Sequence, residues 1–233
     1  MKNFSRYYAF AFILLLGVAC NQAPKADEAK TAPPKPTTET PKATEAAAQG
    51  IQKADVVLEK SNITWIGTKP TGQHNGTINL KGGALALKDG KIITGSFMID
   101  MTTVKAVDMD EENNGKLSGH LKNADFFDVE KFPTAAFTMT GIKDYEVPAD
   151  TTKKALLEGA THTIEGNLTI KDVTKSVTFP AVVKVSGGNA SAKANFNINR
   201  TDWALKYGSD KSLGDKFIRP EVNIGINLVA AVK

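Results

Sequence analysis

Leu85-Ala-Leu87-Lys-Asp89-Gly90-Lys-Ile92-Ile-Thr-Gly95-Ser-Phe97-Met-Ile99-Asp-Met101 decides the fold class of this chain. Leu85 and Leu87, then Gly95, Phe97, Ile99 and Met101, stand at alternate positions on either side of Asp89-Gly90. Side chains of a strand point alternately to opposite faces, so this pattern buries one face and wets the other. Asp-Gly supplies two residues that tolerate positive φ, as a two-residue hairpin turn requires. The stretch reads as an antiparallel hairpin.

Working outward, the same grammar returns in the second half. Ile164, Leu168 and Ile170, then Val177 and Phe179, then Val183 and Val185, alternate up to a turn at Gly187-Gly188. Ala190, Ala192, Ala194, Phe196 and Ile198 follow it, and Val222, Ile224, Ile226 and Leu228 form a last strand. From Val56 onward this makes about eight or nine strands, with few helical stretches long enough to cross between parallel neighbours. Only Glu111 to Phe127 and Thr201 to Phe217 break the rhythm, as short helices or structured loops. No repeat points to a propeller or solenoid. Glycines within or beside strands (Gly76, Gly82, Gly83, Gly95, Gly166) allow sharp bending, which favours a closed all-β barrel over a sandwich. The small face from Ala190 to Ala194 tips the reading toward an internal cavity; a barrel filled by opposing large side chains stays open as the alternative.

The N-terminal region is of another kind. Lys2 and Arg6 precede an apolar run from Phe10 to Leu16, and Gly17 and Ala19 precede Cys20. This is the layout of an export signal, too short to span a bilayer as a helix. Leu-Gly-Val-Ala-Cys20 resembles a lipobox, with Gly17 standing where Leu is usual. It marks residues 1–19 as a signal peptide and Cys20 as the lipidated N-terminus. As the single cysteine, Cys20 leaves no internal disulfide, Cys-rich zinc site or thiol chemistry for the folded part. Residues 20–54 are rich in Pro, Ala, Thr, Lys and Glu, with opposing charges that cancel, and are expected to form a disordered tether reaching roughly 30 to 100 Å. The folded domain is placed at 55–233.

A net charge of +4 and a pI near 9.0 do not imply nucleic acid, because the lysines are dispersed among acids rather than gathered in a basic run. His74, His120 and His162 fall in no metal-ligand spacing. Asp110-Glu-Glu112-Asn-Asn114-Gly115 copies the opening of a calcium loop, yet Leu121 replaces the bidentate Glu, so it reads as a solvated acidic loop. No Gly-x-Ser-x-Gly elbow, phosphate-cradling loop or dinucleotide fingerprint occurs, and neither a catalytic residue nor a cofactor is expected.

Several blocks, in order and spacing, carry a family resemblance. They are Ile63-Thr-Trp65-Ile-Gly67; His74-Asn-Gly76-Thr-Ile; Gly95-Ser-Phe97-Met-Ile-Asp100; His120-Leu-Lys-Asn-Ala-Asp125-Phe126-Phe127-Asp128-Val-Glu-Lys-Phe132-Pro133; Gly166-Asn-Leu168-Thr-Ile-Lys-Asp172; and Arg200-Thr-Asp202-Trp203. Together they resemble the YceI-like family of lipocalin-like, polyisoprenoid-binding envelope proteins, with Asp172 standing where that family commonly has Gly. The resemblance implies an elongated antiparallel lipocalin-like barrel whose hydrophobic tunnel takes a long isoprenoid or fatty-acyl chain.

The expected ligand-contacting residues are Trp65, Phe97, Ile99, His120, Phe126, Phe127, Phe137, Phe196 and Trp203, although a filled core would use the same residue types. Phe126 and Phe127 are read as lining or gating the tunnel, and Asp125 or Asp128 as capping a short helix. His74 and His120 are read as hydrogen-bonding either a ligand's polar end or a backbone carbonyl. The expected partners are a long-chain isoprenoid, quinone-like or fatty-acyl lipid and, through Cys20, a membrane; homodimerisation is left open. The expected location is the periplasmic side of the envelope, with Asn21 leaning the anchor toward the outer membrane. Two other classes stay in view: a filled structural or stress-response lipoprotein, and a lipid-modifying barrel enzyme.

Overall fold

Alternating segments with turn residues at their ends become long strands because each has one apolar face to bury. The computed structural model describes residues 22–37, 50–150, 152, 154–187 and 189–232. Three short strands, β1 (Asp27–Glu28), β2 (Lys30–Ala32) and β3 (Gln52–Val56), precede eight long ones. These are β4 (Asn62–Lys69), β5 (Gly72–Lys88), β6 (Lys91–Ala106), β7 (Thr134–Asp144), β8 (His162–Ile170), β9 (Val173–Ser186), β10 (Asn189–Asn199) and β11 (Glu221–Val232). Each long strand pairs antiparallel with the next, and β11 pairs back onto β4 through Val222↔Gly67 to Asn227↔Asn62. The ring closes, as the sequence predicts.

At the Asp-Gly hairpin, Asp89 (φ 52) and Gly90 (φ 73) both take left-handed backbone between the paired Lys88 and Lys91. The irregular stretches also fall where expected: an α-helix, α1 (Glu111–Lys122), and two 3-10 turns at Arg200–Trp203 and Lys211–Lys216. Both long connections, 107–133 and 200–220, lie at the same end of the barrel, because β6, β8, β10 and the starts of β7, β9 and β11 meet there.

Several expectations need correction. The acidic run is not a loop: Asp110 is the N-cap of α1, its carboxylate accepting from the Asn113 backbone N–H at 2.9 Å and the Asn113 amide at 2.7 Å. Those bonds hold Asp110 below the usual carboxylate range. Neither Asp125 nor Asp128 caps a helix start, since both follow α1; Asp128 takes φ 51 in the turn that ends it. Gly82 sits at a register shift in β5, where bending is expected, whereas Gly76 and Gly166 also make room for rings. A Cβ at Gly76 would stand 2.5 Å from Trp65 Cζ2, and one at Gly166 would stand 2.3 Å from Phe137 Cζ.

Part of the tether is not free chain either. β1 pairs parallel with β10, and β2 pairs antiparallel with β9, so this segment docks along the edges of those two strands. Composition missed this because the segment adds backbone hydrogen bonds to a sheet and buries almost no apolar side chain of its own. The export signal, Cys20 and residues 38–49 lie outside the described residues. Among the described residues no helix is long and apolar enough to cross a membrane.

Candidate functional site

The inward positions of the strands enclose a cavity of about 670 Å³ rather than a filled core. Parity explains its wall. Phe97, Ile99 and Met101 on β6, Val177, Phe179, Ala181 and Val183 on β9, and Ala192, Ala194, Phe196 and Ile198 on β10 all face it. The small β10 side chains leave the space that a ring of Leu or Phe would fill.

Polar lining groups gather at the end that carries the long connections. Lys69 and His74 flank the β4–β5 turn, Asn113, Lys116 and His120 lie on α1, and Tyr207, Asp215 and Lys216 come from the 200–220 connection. This is the mouth. At it, Phe126 and Phe127 meet edge-to-face at 5.0 Å, and His120 meets Tyr207 at 4.6 Å and Phe126 at 6.0 Å. The turns after α1 hold these rings in place, since Phe127 N–H donates to Leu121 O and Asp128 N–H to Asn123 O.

Eight of the nine expected contact residues come to this one cavity: Trp65, Phe97, Ile99, His120, Phe126, Phe127, Phe137 and Phe196. Trp203 does not. It is fully buried in its 3-10 turn, with Nε1 donating to Leu168 O at 2.9 Å, and so fixes the connection to the wall from outside the cavity. A large apolar residue at the end of a strand looks the same in sequence whichever side it packs on. His74 meets Asp108 Oδ2 at 3.1 Å rather than a carbonyl, and His162 lies beside Thr161 and Asp144 away from the cavity.

Arg200 escaped notice as a site residue, yet it lines the cavity and is 2% exposed. Its guanidinium donates to the carbonyls of Leu205, Ile218 and Arg219, tying both ends of the 200–220 connection together. Burial pushes its pKa down, and the charge of Glu221 opposes that. The signal was present: Ala194, Phe196, Ile198 and Arg200 continue one alternating face. Two polar atoms of the wall, Trp65 Nε1 and Thr68 Oγ1, are buried without a hydrogen-bond partner among the described residues. Among those residues no group of His, Cys, Asp or Glu is arranged to hold a metal ion.

A closed eight-stranded antiparallel barrel around an apolar cavity, with a polar rim at one end, defines a binding barrel of the lipocalin-like class. A profile of the YceI-like domain matches residues 55–230, and the chain belongs to that family. It is 34% identical over 101 residues to a UPF0312 protein of Pseudomonas putida (strain W619), covering 40% of this chain and 46% of that protein. It is also 36% identical over 77 residues to Protein YceI of Salmonella arizonae, covering 33% and 34% of the two chains. The match spans less than half the length of these curated relatives. Among solved structures, Burkholderia cenocepacia BcnA aligns with a TM-score of 0.55 at 22% identity, over 76% of this chain and 99% of that one. A polyisoprenoid binding domain from Saccharophagus degradans, implicated in plant cell wall breakdown, aligns at 0.54 and 13%, over 78% and 99%. At such identities these two likenesses speak for the fold.

Proposed function

We propose that this protein binds and stores or ferries a long apolar lipid, of polyisoprenoid, quinone-like or fatty-acyl type, inside the barrel. The observation that carries the reading is the apolar 670 Å³ cavity open at a polar mouth. Filling a void contributes on the order of 24 cal/mol per Å³, so full occupancy would supply a ceiling of about 16 kcal/mol gross. Association costs of about 4 to 15 kcal/mol come out of that, which leaves room for useful affinity from apolar contact alone. No bond need be made or broken. The polyisoprenoid-binding neighbour in Saccharophagus is consistent with this ligand class.

The ligand's polar end belongs at the mouth, where His120 and the Thr68 hydroxyl, unpartnered among the described residues, stand ready to donate. The envelope reading extends from the N-terminal signal. Cys20 precedes the docked Pro24 by four residues, at most about 14 Å of chain, so a lipid on Cys20 would hold the barrel close to the bilayer.

The test is native mass spectrometry with organic extraction of the chain purified without detergent from a bacterial host. A co-purifying isoprenoid or fatty-acyl species near one per protein is the expected result. A clean apo mass that gains nothing on adding polyprenols or fatty acids would overturn the reading in favour of a structural lipoprotein.

A further inference from the structure

Along part of the seam between β9 and β10 the barrel wall is not laddered directly. β9 and β10 pair only between Val182↔Lys193 and Ser186↔Asn189. Beyond that point, residues 173–181 and 194–199 present facing edges with no ladder between them among the described residues. Open edges of this kind are templates for an added strand.

Residues 24–36 fill the gap. Asp27 and Glu28 pair with Phe196 and Asn197 on one edge, and Lys30 to Ala32 pair with Thr178 to Ser176 on the other. Between them Ala29 N–H donates to Asn197 O at 2.9 Å. Asn167 clamps the downstream end, accepting from Lys35 N–H at 3.0 Å and donating to Lys35 O at 2.7 Å. The Asp27 carboxylate accepts from the N–H groups of Leu156 and Leu157, while Asn197 Nδ2 donates to Pro24 O. On the cavity side of the same seam, the rings of Phe179 and Phe196 stack at 4.1 Å.

The hold is polar. Ala26 and Ala29 are the members that pack inward, and the segment Pro-Lys-Ala-Asp-Glu-Ala-Lys-Thr-Ala-Pro-Pro-Lys-Pro carries no large apolar side chain. Its hydrogen bonds exchange for water at small net cost, whereas a strand of the barrel would have to expose its apolar face to leave.

We propose that residues 24–36 are a releasable strand that occupies a strand-accepting groove between β9 and β10 and closes a lateral route into the tunnel. With the strap away, inward side chains alone, the Phe179–Phe196 stack with Val177 and Ile198, separate the cavity from the outside along this seam. The lateral route rests on the tunnel reading; the groove and its occupant do not.

The test uses the full chain with Asp27→Ala, Ala29→Pro and Lys35→Pro, which remove strap hydrogen bonds and leave every barrel residue unchanged. Amides of residues 194–198 and 176–179 that point toward the strap should exchange at least about tenfold faster, and a synthetic peptide of residues 22–37 added in trans should restore protection. Wild-type protection retained in this variant would overturn the releasable strand. Uptake of pyrene-labelled hexadecanoic acid is expected to accelerate by about tenfold with unchanged final stoichiometry. A second variant, Lys30→Cys with Thr178→Cys in a Cys20→Ser background, ties the strap to its register partner. It should slow uptake until reduced. Equal uptake rates in tied and reduced protein would overturn the lateral route even if the first variant misfolds. No uptake by the wild-type chain would strike the tunnel reading itself, leaving the exchange measurement to decide the strap.

Discussion

Ala194→Phe is the sharpest probe of the tunnel. Ala194 lies on the inward face of β10, is buried, and borders the cavity between Ala192 and Phe196. A phenyl ring there projects six carbons into space that a ligand chain would occupy. Displacing about six ligand carbons at about 0.8 kcal/mol each forfeits about 5 kcal/mol of transfer free energy. At 1.4 kcal/mol per decade that weakens affinity by about 3,000-fold. Stability should move the other way or stay level, because the ring fills a void rather than crowding a packed core. The assay pairs fluorescence titration with a pyrene-labelled fatty acid against a thermal melt of the same preparation. Unchanged affinity with an unchanged melt would refute the premise that this cavity holds the ligand.

Three further expectations follow from the geometry. Phe126→Ala with Phe127→Ala should lower co-purified lipid, because both rings form the mouth, while circular dichroism should still report a folded barrel; full occupancy in the double variant would remove their gating role. Gly166→Ala drives a Cβ to 2.7 Å from Thr138 O and into the Phe137 ring, and such overpacking costs about 1 to 3 kcal/mol, or roughly 2 to 12 °C of Tm. A melt within a degree of wild type would show the wall to be softer than drawn. Asp110 and Asp210 are both held below the ordinary carboxylate range by bonds from Asn113 and Ser212. A depressed folded pKa means their contribution is complete above the ordinary Asp value of about 3.9 and is lost as pH falls through the folded value. Protection of the Asn113 and Ser212 amides relative to the intrinsic exchange rate at each pH should therefore fall only below about pH 4, and Asp110→Asn should flatten that response at Asn113.

The closed barrel was legible in the sequence because strand patterning is local. Alternation along Leu85 to Met101 and Ala190 to Ile198 states which residues share a face, and Asp89-Gly90 states where the chain reverses. Phe97, Ile99 and Phe196, which alternation put on one face of their strands, line the cavity together with Phe137. Alternation does not say what lies on the other side of a face. Trp203 and Phe196 are both large, apolar and buried, yet one pins a connection to Leu168 O and the other lines the tunnel. Nor does composition register a segment held by backbone bonds: residues 24–36 read as tether because they lack apolar side chains, and dock because β9 and β10 part company beside them. The size of the cavity, the clustering of polar groups at one mouth and the gap in the wall all depend on how distant strands meet. Those are properties of the closed ring, and only the tertiary structure decided them.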